Sequence, residues 1–497
     1  MGSGSESVPE NDLFEGAPLL AALAGKAGSG RLGFHMPGHQ RGKGMWAPFE
    51  RFLREAGPAM DLTELPGLDS LMAPEGCLRD AQERMARLYG TSAAFFLING
   101  ASVGLMAAVL AMNAPGKTLW LPADAHVSLH HAMVLSGGRP AYAPVRTDPV
   151  WGVSLGVDAR AWERMLDGGA DGDLAVTVHP GYHGVGAPLD RLAASLKKRP
   201  GTAWLVDEAH GAHLPFTGVG PKSALTYVPD ALVHGTHKTL GSLTQTALLH
   251  CVNPAWSGRL GEALRLLQSS SPSYMLMASL EAMGRYIETE GREKLQEMAS
   301  LASETAQGIR DIGGYRLFQD EADAGETDPC KITFSAAELG LSGHDLAGIL
   351  RERYEIDVEM DTDFYVLCML TIGHGSGDVR RLLSALRQIA RDRAGSASVK
   401  PASVKSAPDS LIRQSAAVTV ERTPREVFFS EREAVGLTQA RGRLAAGAVA
   451  VYPPGTPLIF PGQRLNGGDI ERLVEIRGKG GVLTGLLSGG RIQVCRE

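Results

Sequence analysis

A lysine stands among small and hydroxyl residues directly after an apolar run. Lys238 lies in the segment His234-Gly235-Thr236-His237-Lys238-Thr239, which follows the candidate strand Ala231–His234. A charged side chain at the end of a buried strand fits poorly with an ordinary solvated surface position. An amine held in such a place can attack a carbonyl carbon and form a covalent imine, the Schiff base.

An acid and a glycine-containing turn end two further apolar runs. Asp207 closes the run Trp204–Asp207, and Gly100-Ala101-Ser102 stands where a strand ends and a helix begins. Backbone N–H groups at the start of a helix, the helix dipole and a serine hydroxyl all suit a phosphate. The structural alternatives are a helix N-cap by Asp207 or Glu208 and a turn that binds no ligand.

The turn, the acid and the lysine together predict a site for pyridoxal phosphate (PLP). The lysine would hold the aldehyde of the cofactor, and the acid would keep the pyridine nitrogen protonated. A protonated ring can accept the electron pair that remains when a bond at the substrate Cα breaks. The three features therefore explain one another in the chain order 100–102, 207 and 238.

A mostly parallel sheet wrapped by helices is predicted to position these residues. Short apolar runs alternate with helical patterns between about residues 80 and 280, which is typical of α/β folds. The candidate strands are Ala94–Ile98, Thr118–Leu121, Leu174–Val178, Trp204–Asp207 and Ala231–His234. The uncharged stretch from Ala93 to Met112 has the length of a membrane span. Because Asn99, Gly100 and Ser102 interrupt it, we predict a buried strand, a turn and a buried helix.

The 497 residues suffice for about two to four domains. The expected division is an N-terminal arm (1–75), a large PLP-binding domain (76–312), a small α+β domain (313–393), a linker (394–408) and a C-terminal α+β domain (409–497). An amphipathic stretch at about 274–312 is predicted to be a connecting helix. Lys331–Ser335 is predicted to be a strand and Asp345–Tyr354 a helix.

Composition narrows the class of partner and the compartment. The formal charge of −6 and the pI near 6.2 argue against a nucleic acid or an anionic membrane as the main partner. The five cysteines are odd in number and include no C-x-x-C pair, which is typical of a reducing cytoplasm and not of a disulfide framework. The N-terminus lacks a signal-peptide pattern, and no H-E-x-x-H or Cys/His pattern predicts a metal site.

The sequence resembles the Orn/Lys/Arg decarboxylase family of PLP fold-type-I enzymes, in the shorter form typical of bacterial arginine or lysine decarboxylases. The matching motifs are His35-Met36-Pro37-Gly38-His39, Leu68-Asp69-Ser70-Leu71, Ala73-Pro74-Glu75-Gly76, Asp207-Glu208-Ala209-His210-Gly211, His237-Lys238, Gly241-Ser242-Leu243-Thr244-Gln245, Ser271-Pro272-Ser273-Tyr274, Gly343-His344-Asp345 and Tyr452-Pro453-Pro454-Gly455. They span about residues 30 to 465. The resemblance implies an aspartate aminotransferase-like α/β fold, with a seven-stranded mostly parallel sheet, helices on both faces and small α+β C-terminal domains.

The resemblance also implies roles for residues at the matching positions. Lys238 would be the Schiff-base lysine, Asp207 the partner of the pyridine nitrogen, and His126 the histidine that stacks on the cofactor ring. A histidine that opens a helix can equally be a cap or a surface residue. His237 would handle protons beside the lysine. The remaining cofactor-binding positions would be Gly100, Ala101, Ser102, His210, Thr236, Ser271 and Ser273.

Expectations for substrate and partner follow from the same resemblance. Ser271 and Ser273 match a segment that reaches a neighbouring subunit's cofactor, which implies a homodimer or a larger homo-oligomer. The ammonium or guanidinium of a basic amino acid needs an acidic partner in a buried pocket. Glu359 matches a position near the substrate side chain and Asp361 is a second candidate, with a solvated strand-edge acid as the alternative for both. Asp69 lies in a family motif near the active site.

The implied function is decarboxylation of arginine, lysine or ornithine to CO2 and the corresponding amine, a reaction of polyamine biosynthesis. The chain departs from the family at Ala101, Val127, Gly181 and Gly235, where Thr, Lys, Thr and Ser are usual. These departures motivate an alternative, a PLP-dependent lyase, cyclodehydratase or aldolase acting on a modified, for example hydroxylated, basic amino acid. A catalytically silent relative is a third possibility, against which the retained Lys238 and Asp207 argue. His179 and His183 are either turn residues or additional proton-transfer groups.

Overall fold

The structure, a computed structural model, describes residues 16–168, 173–321, 323–394, 418–451, 456–478 and 481–496. Apart from Ala394, the predicted linker at 394–408 lies outside the described residues. The motif Tyr452-Pro453-Pro454-Gly455 lies outside them as well.

A seven-stranded sheet forms the centre of the large domain. Its strands are β1 (Ala93–Leu97), β2 (Thr118–Pro122), β3 (Arg139–Ala143), β4 (Leu174–Val178), β5 (Ala203–Asp207), β6 (Ala231–His234) and β7 (Ala247–Cys251). They lie in the spatial order β1-β7-β6-β5-β4-β2-β3; β7 is antiparallel to both neighbours and the other pairs are parallel. The predicted mostly parallel sheet is confirmed, and each of the five predicted strands ends within one residue of its expected bounds.

Helices cover both faces of this sheet because its strands are apolar on both sides. Leu205 packs into a cluster with the helix Gly100–Met112, whereas the next residue, Val206, packs into a second cluster with Ala159–Asp167 and Leu189–Lys197. Neighbouring side chains on a strand point to opposite faces, so continuous apolar runs need cover on each side. The strand, turn and helix predicted across 93–112 are therefore confirmed.

The chain outside this core contains further helices. The other α-helices are Pro18–Gly28, Ala47–Ala56, Cys77–Tyr89, Val127–Ser136, Leu214–Thr217, Thr236–Thr239, Ser257–Leu267, Tyr274–Tyr286, Arg292–Ile312, Phe318–Glu321, Gly343–Tyr354, Ser376–Ala394, Pro424–Phe428 and Gly467–Gly478. Among the residues described, none of the helices combines the length and apolarity needed to cross a membrane.

The small domain is built on a four-stranded antiparallel sheet. Its strands are β8 (Arg316–Leu317), β9 (Lys331–Ser335), β10 (Met360–Asp361) and β11 (Val366–Met369), in the spatial order β8-β9-β11-β10. Two helices, Tyr274–Tyr286 and Arg292–Ile312, lead to it from the large domain through a π-helical turn at Ile287–Gly291. This confirms the predicted connecting helix at 274–312, with one π turn in its interior.

The N-terminal arm ties the two domains together beside the lysine segment. Leu32–Phe34 pairs in parallel with Ile356–Val358. The N–H of Gly38 then donates to the carbonyl of His237 at 2.7 Å. A Cβ on Gly38 would lie 2.4 Å from the carbonyl oxygen of Leu240, so only glycine allows this approach. The arm therefore holds the short helix that carries Lys238 in place.

The C-terminal region contains two small sheets packed beside the large domain. Arg432–Gly436 pairs with Arg491–Cys495, and Val449–Val451 lies between Thr456–Ile459 and Leu483–Thr484. Arg425 donates to the carbonyl of Leu135 at 2.8 Å. Phe460 packs against the rings of His130 and Tyr142, with centroids 5.4 and 4.5 Å away. The C-terminal region thus supports the helix Val127–Ser136, which begins after His126. A further hairpin, Val145–Thr147 with Ser154–Val157, precedes β4.

Candidate active site

A cavity of about 610 Å³ opens at the carboxyl ends of the central strands. Open α/β sheets bind ligands at this edge, and the volume lies within the range of small-molecule sites. Its wall brings together most of the predicted cofactor residues: Gly100, Ala101, Ser102, His126, Asp207, His210, His237 and Lys238. Residues spread along the chain from position 100 to position 238 therefore meet at one place.

Lys238 is held by an imidazole at the edge of this cavity. It lies on the short helix Thr236–Thr239 after β6, and its Nζ is 2.8 Å from Nε2 of His210. Burial lowers the pKa of Lys238 to about 8, with Asp207 opposing that shift and Lys331 reinforcing it. Burial and the two lysines also hold the pKa of His210 well below its ordinary value, so this ring is neutral. Lys238 is thus a far better nucleophile near neutral pH than a solvated lysine.

Asp207 and Glu208 diverge although they are adjacent in sequence. Asp207 lines the cavity, is 5% exposed and accepts from the backbone N–H of Ala209 at 3.1 Å. Glu208 is fully buried away from it, where Ser223, the N–H of Ala224 and His234 bind its carboxylate. Burial raises the pKa of Glu208 to about 7. Of these two acids only Asp207 lines the cavity, and neither is the N-cap residue of a helix as the structural alternative supposed.

His126 caps a helix and also lines the cavity. It is the N-cap of the helix Val127–Ser136, where its Nδ1 accepts from the N–H of Ser128 at 3.2 Å. The same ring lines the cavity. Because Nδ1 is an acceptor, the proton of the neutral ring lies on Nε2. Burial lowers the pKa of His126, which keeps the ring uncharged.

The glycine turn opens the helix Gly100–Met112 at the cavity wall. Gly100 has a φ of +77°, a conformation that other residues rarely adopt, and its N–H donates to the carbonyl of Gln245 at 2.8 Å. The first turn of a helix leaves N–H groups without intrahelical partners. Ala101 and Ser102 lie there and line the cavity, which suits an anion.

Thr236 differs from its expected place. Its side chain is fully buried, and its hydroxyl accepts from Ser242 at 2.8 Å within a cluster that includes Thr246. It does not line the cavity. His237, the next residue, lines the cavity and donates from Nδ1 to the carbonyl of Thr246 at 2.7 Å, which leaves Nε2 as an acceptor.

Glu359 and Asp361, the acids predicted to bind the substrate side chain, do not line the cavity themselves. Glu359 accepts from the Tyr182 hydroxyl at 2.6 Å and from the N–H of Met36 at 3.0 Å, and Tyr182 faces the cavity in its place. Asp361 pairs with His344 at 2.5 Å. Its neighbours Met360 and Thr362 line the cavity, so the alternation of side chains along the strand turns Asp361 away.

Three other predicted residues lie outside the cavity of this chain. The carboxylate of Asp69 accepts from the N–H groups of Glu75, Gly76 and Leu78 and from the Cys77 thiol. These bonds hold its pKa well below the usual range against the opposing effect of burial. Asp69 therefore orders a turn at the start of the helix Cys77–Tyr89. Ser271 is exposed and Ser273 is half-buried, and both lie in the loop before the helix Tyr274–Tyr286.

The departures from the family have distinct local settings. A Cβ on Gly235 would lie 2.7 Å from the carbonyl oxygen of Ala209 and 3.2 Å from the Lys238 side chain, so the lysine stem occupies the space of a side chain. A Cβ on Gly181 would meet nothing closer than 3.8 Å. Because Gly181 lines the cavity, the lack of a side chain at this position leaves the cavity wider. His179 is saturated by the N–H of Ala187 and the carbonyl of Lys222, as a turn residue would be.

Sequence reasoning missed several side chains near the reacting groups. The cavity wall also contains Asp124, Tyr182, Tyr365 and Arg472, together with His183, which the sequence offered as a turn residue or a proton-transfer group. Just behind it, the buried Lys331 lies 3.1 Å from Nδ1 of His210. One signal could have found Lys331: like Lys238, it is a lysine adjoining an otherwise apolar strand.

The donor set of the cavity fits PLP. An amine suited to an aldehyde, a carboxylate for a ring nitrogen, a flat imidazole for the ring face and a helix N-terminus for a phosphate all line one volume. A ligand lacking any of these four groups would leave one wall unused.

Comparison with known proteins agrees with this chemistry. The family model of the Orn/Lys/Arg decarboxylase major domain matches residues 17–324, and that of the C-terminal domain matches residues 405–475. The arginine decarboxylase of Bacillus subtilis (strain 168) is 33% identical over 456 residues, which is 90% of each chain. The lysine decarboxylase LdcA of Pseudomonas aeruginosa is 24% identical over 557 residues, 90% of this chain and 74% of that one.

A solved structure has the same fold. The Francisella novicida lysine decarboxylase LdcF superposes with a TM-score of 0.77 at 19% identity, covering 96% of this chain and 81% of that one. At this identity the likeness concerns the arrangement of the backbone.

Proposed function

Because the chain belongs to the Orn/Lys/Arg decarboxylase family, we propose that it decarboxylates arginine, with Lys238, Asp207 and His126 as the central residues of its site. The family makes the protein a PLP-dependent decarboxylase of a basic amino acid. The observation that carries the assignment of residues is their convergence on one cavity at the carboxyl edge of the sheet.

In the proposed site each residue has a defined role. Lys238 binds the cofactor aldehyde, Asp207 faces the ring nitrogen, His126 packs on the ring, and the N–H groups of Ala101 and Ser102 bind the phosphate. Bound PLP would supply an acceptor for the electron pair left at the substrate Cα when CO2 is lost. The amine of Lys238, with a pKa of about 8, holds a proton at neutral pH that it can deliver to Cα.

Arginine as substrate is supported by the relatives and by the charge beside the cavity. The relative named arginine decarboxylase is 33% identical and spans 90% of each chain, whereas the one named lysine decarboxylase is 24% identical. The carboxylate of Glu359 lies just behind the cavity wall, where it accepts a hydrogen bond from the Tyr182 hydroxyl. A negative charge there stabilises a cationic side chain in a partly dehydrated pocket.

The test compares KM for arginine and for a neutral amino acid of similar length in Glu359→Gln. We expect KM for arginine to rise by about tenfold or more, since a charge-assisted interaction is lost. KM for the neutral analogue should change less than twofold. Equal changes for both would remove Glu359 from substrate recognition, and a lower kcat/KM for arginine than for lysine or ornithine in the unaltered enzyme would contradict arginine as the substrate.

We further propose a homo-oligomer in the cytoplasm that contributes an amine to polyamine biosynthesis. The helix Pro18–Gly28 has no buried residue in the single chain, and Leu19 and Leu23 are 79% and 62% exposed. A second copy of the chain would cover them. The five cysteines are all free thiols, which supports a reducing compartment.

A further inference from the structure

A second lysine approaches the reacting lysine through a shared imidazole. Nζ of Lys238 is 2.8 Å from Nε2 of His210, and Nζ of Lys331 is 3.1 Å from Nδ1 of the same ring. Lys331 has no exposed surface. A fully buried lysine is rare without a partner or a task, and decarboxylation as described above gives it none.

The fold makes specific room for Lys331. The residue begins β9 at the junction with the large domain. Gly184 has a φ of +84°, and a Cβ there would lie 2.9 Å from Cβ and Cγ of Lys331. The ammonium lies 5.7 Å from the ring centre of Tyr182 and 3.1 Å from Sδ of Met369. The stem is thus confined between the two domains, and its end is aimed at His210.

Counting protons decides how the three groups can bond. A neutral imidazole has one donor and one acceptor, and an ammonium has only donors. Two ammonium groups therefore cannot both donate to His210. In the arrangement that satisfies both contacts with Lys238 uncharged, Lys331 donates to Nδ1, and the Nε2–H of His210 donates to the lone pair of Lys238.

The contact with Tyr182 favours the proton on Lys331, because the face of an aromatic ring attracts an ammonium. Burial lowers the pKa of Lys331, and Glu359 and Asp328 oppose that shift. The titratable groups facing Lys331, His210 and Lys238 from all packed elements are Asp207, Glu359, Asp328, Cys330, His126, His183 and His237. Asp328 acts on Lys331, Asp207 acts on Lys238 and Glu359 acts on both, so the acids balance between the two lysines and the Tyr182 ring beside Lys331 decides.

We propose that Lys331 is a positioning residue for the reaction: its buried ammonium donates to Nδ1 of His210, holds the ring proton on Nε2, and so presents an N–H to the Lys238 nitrogen. This hydrogen bond lowers the proton affinity of the Lys238 nitrogen, so that a larger share of it is in the free-base form that cofactor binding needs. Lys331 itself touches no reacting atom. The inference rests on the proposed function, because it requires Lys238 to be the lysine that binds PLP.

The test is a pH titration of the visible absorbance of the PLP-loaded enzyme, whose midpoint reports protonation of the Lys238 nitrogen. Lys331→Met removes the charge at similar length, and we expect the midpoint to rise by about one pH unit, a tenfold change in proton affinity. Lys222→Met, an exposed lysine outside the site, is the matched control and should leave the midpoint unchanged.

A double variant separates the His210 contact from a general charge effect. In a His210→Asn background, Lys331→Met should move the midpoint by less than a third of its effect in the unaltered enzyme. An equal shift in both backgrounds, or none in either, overturns the inference. If Lys331→Met does not fold, Lys331→Gln serves in its place with the same expected rise. A missing visible band in the unaltered enzyme, or its persistence in Lys238→Ala, would instead contradict the proposed function.

Discussion

The adjacent acids Asp207 and Glu208 have different surroundings, and this determines which of the two carboxylates can act on a bound ligand. Asp207 lines the cavity, while the carboxylate of Glu208 is hydrogen-bonded to Ser223, Ala224 and His234. The alternation of side chains at the end of β5 separates them. Of the two carboxylates, only that of Asp207 can therefore polarise a bound ring.

We expect Asp207→Ala to lower kcat by roughly 10²–10³-fold or more, because the charge that stabilises the developing electron pair is lost. Steady-state CO2 release at saturating PLP measures the effect. Asp311→Ala, at an exposed helix position, should retain full activity. Near-normal turnover in the Asp207 variant would refute its assigned role.

The lowered pKa of Lys238 predicts how cofactor uptake depends on pH. Burial lowers it from 10.5 to about 8, so the ammonium form, which has no lone pair for attack, predominates only below about pH 8. The rate at which the apoenzyme takes up PLP should therefore rise as the pH increases through about 8. Stopped-flow absorbance across pH 6–11 measures it; a midpoint near 10.5 would mean that the amine is effectively solvated.

At the scale of elements, the lysine segment is held by the N-terminal arm and not only by its own strand. The carbonyl of His237 and the backbone near Leu240 both touch Gly38, and the N–H of Gly373 donates to the carbonyl of Gly38 at 3.2 Å. The arm, the large domain and the small domain therefore meet at one glycine. Displacing it would move Lys238.

Gly38→Ala should destabilise the protein by about 1–3 kcal/mol, because the added Cβ meets backbone atoms that cannot easily move. It should also lower PLP occupancy at a fixed cofactor concentration. Gly348→Ala, in the helix Gly343–Tyr354 with nothing within 4 Å of the new Cβ, should be neutral or slightly stabilising. Urea denaturation and visible absorbance measure both; equal stability of the two variants would argue against the role given to the arm.

The strands of the large sheet could be predicted from the sequence more fully than the contacts of single side chains. The strands β1, β2, β4, β5 and β6 could be placed from apolar runs and their flanking residues, and the site followed from where those runs end. The partners of single side chains could not. Asp361 faces away because a short strand alternates there, and Thr236 is taken by Ser242 and Thr246, arrangements that depend on register and packing between distant segments. Lys331 depends on β9 docking beside His210, 121 residues away.

At the scale of the whole molecule, the exposed leucines of the helix Pro18–Gly28 predict association. Sedimentation should give a species of at least twice the 52.6 kDa chain mass. Leu19→Glu combined with Leu23→Glu should shift it toward the monomer, because charged side chains oppose burial of this face. Val474→Glu, on a different helix, is the control. A monomeric unaltered protein would contradict the proposed homo-oligomer.

Decarboxylation of a basic amino acid in this cavity is tested most directly by measuring the release of CO2. The PLP-loaded enzyme is assayed with arginine, lysine and ornithine, alongside Lys238→Ala. We predict CO2 and the corresponding amine in equal amounts, with kcat/KM for arginine about tenfold or more above the other two, and no turnover in the variant. Bound PLP with no CO2 from any of the three amino acids would contradict the account.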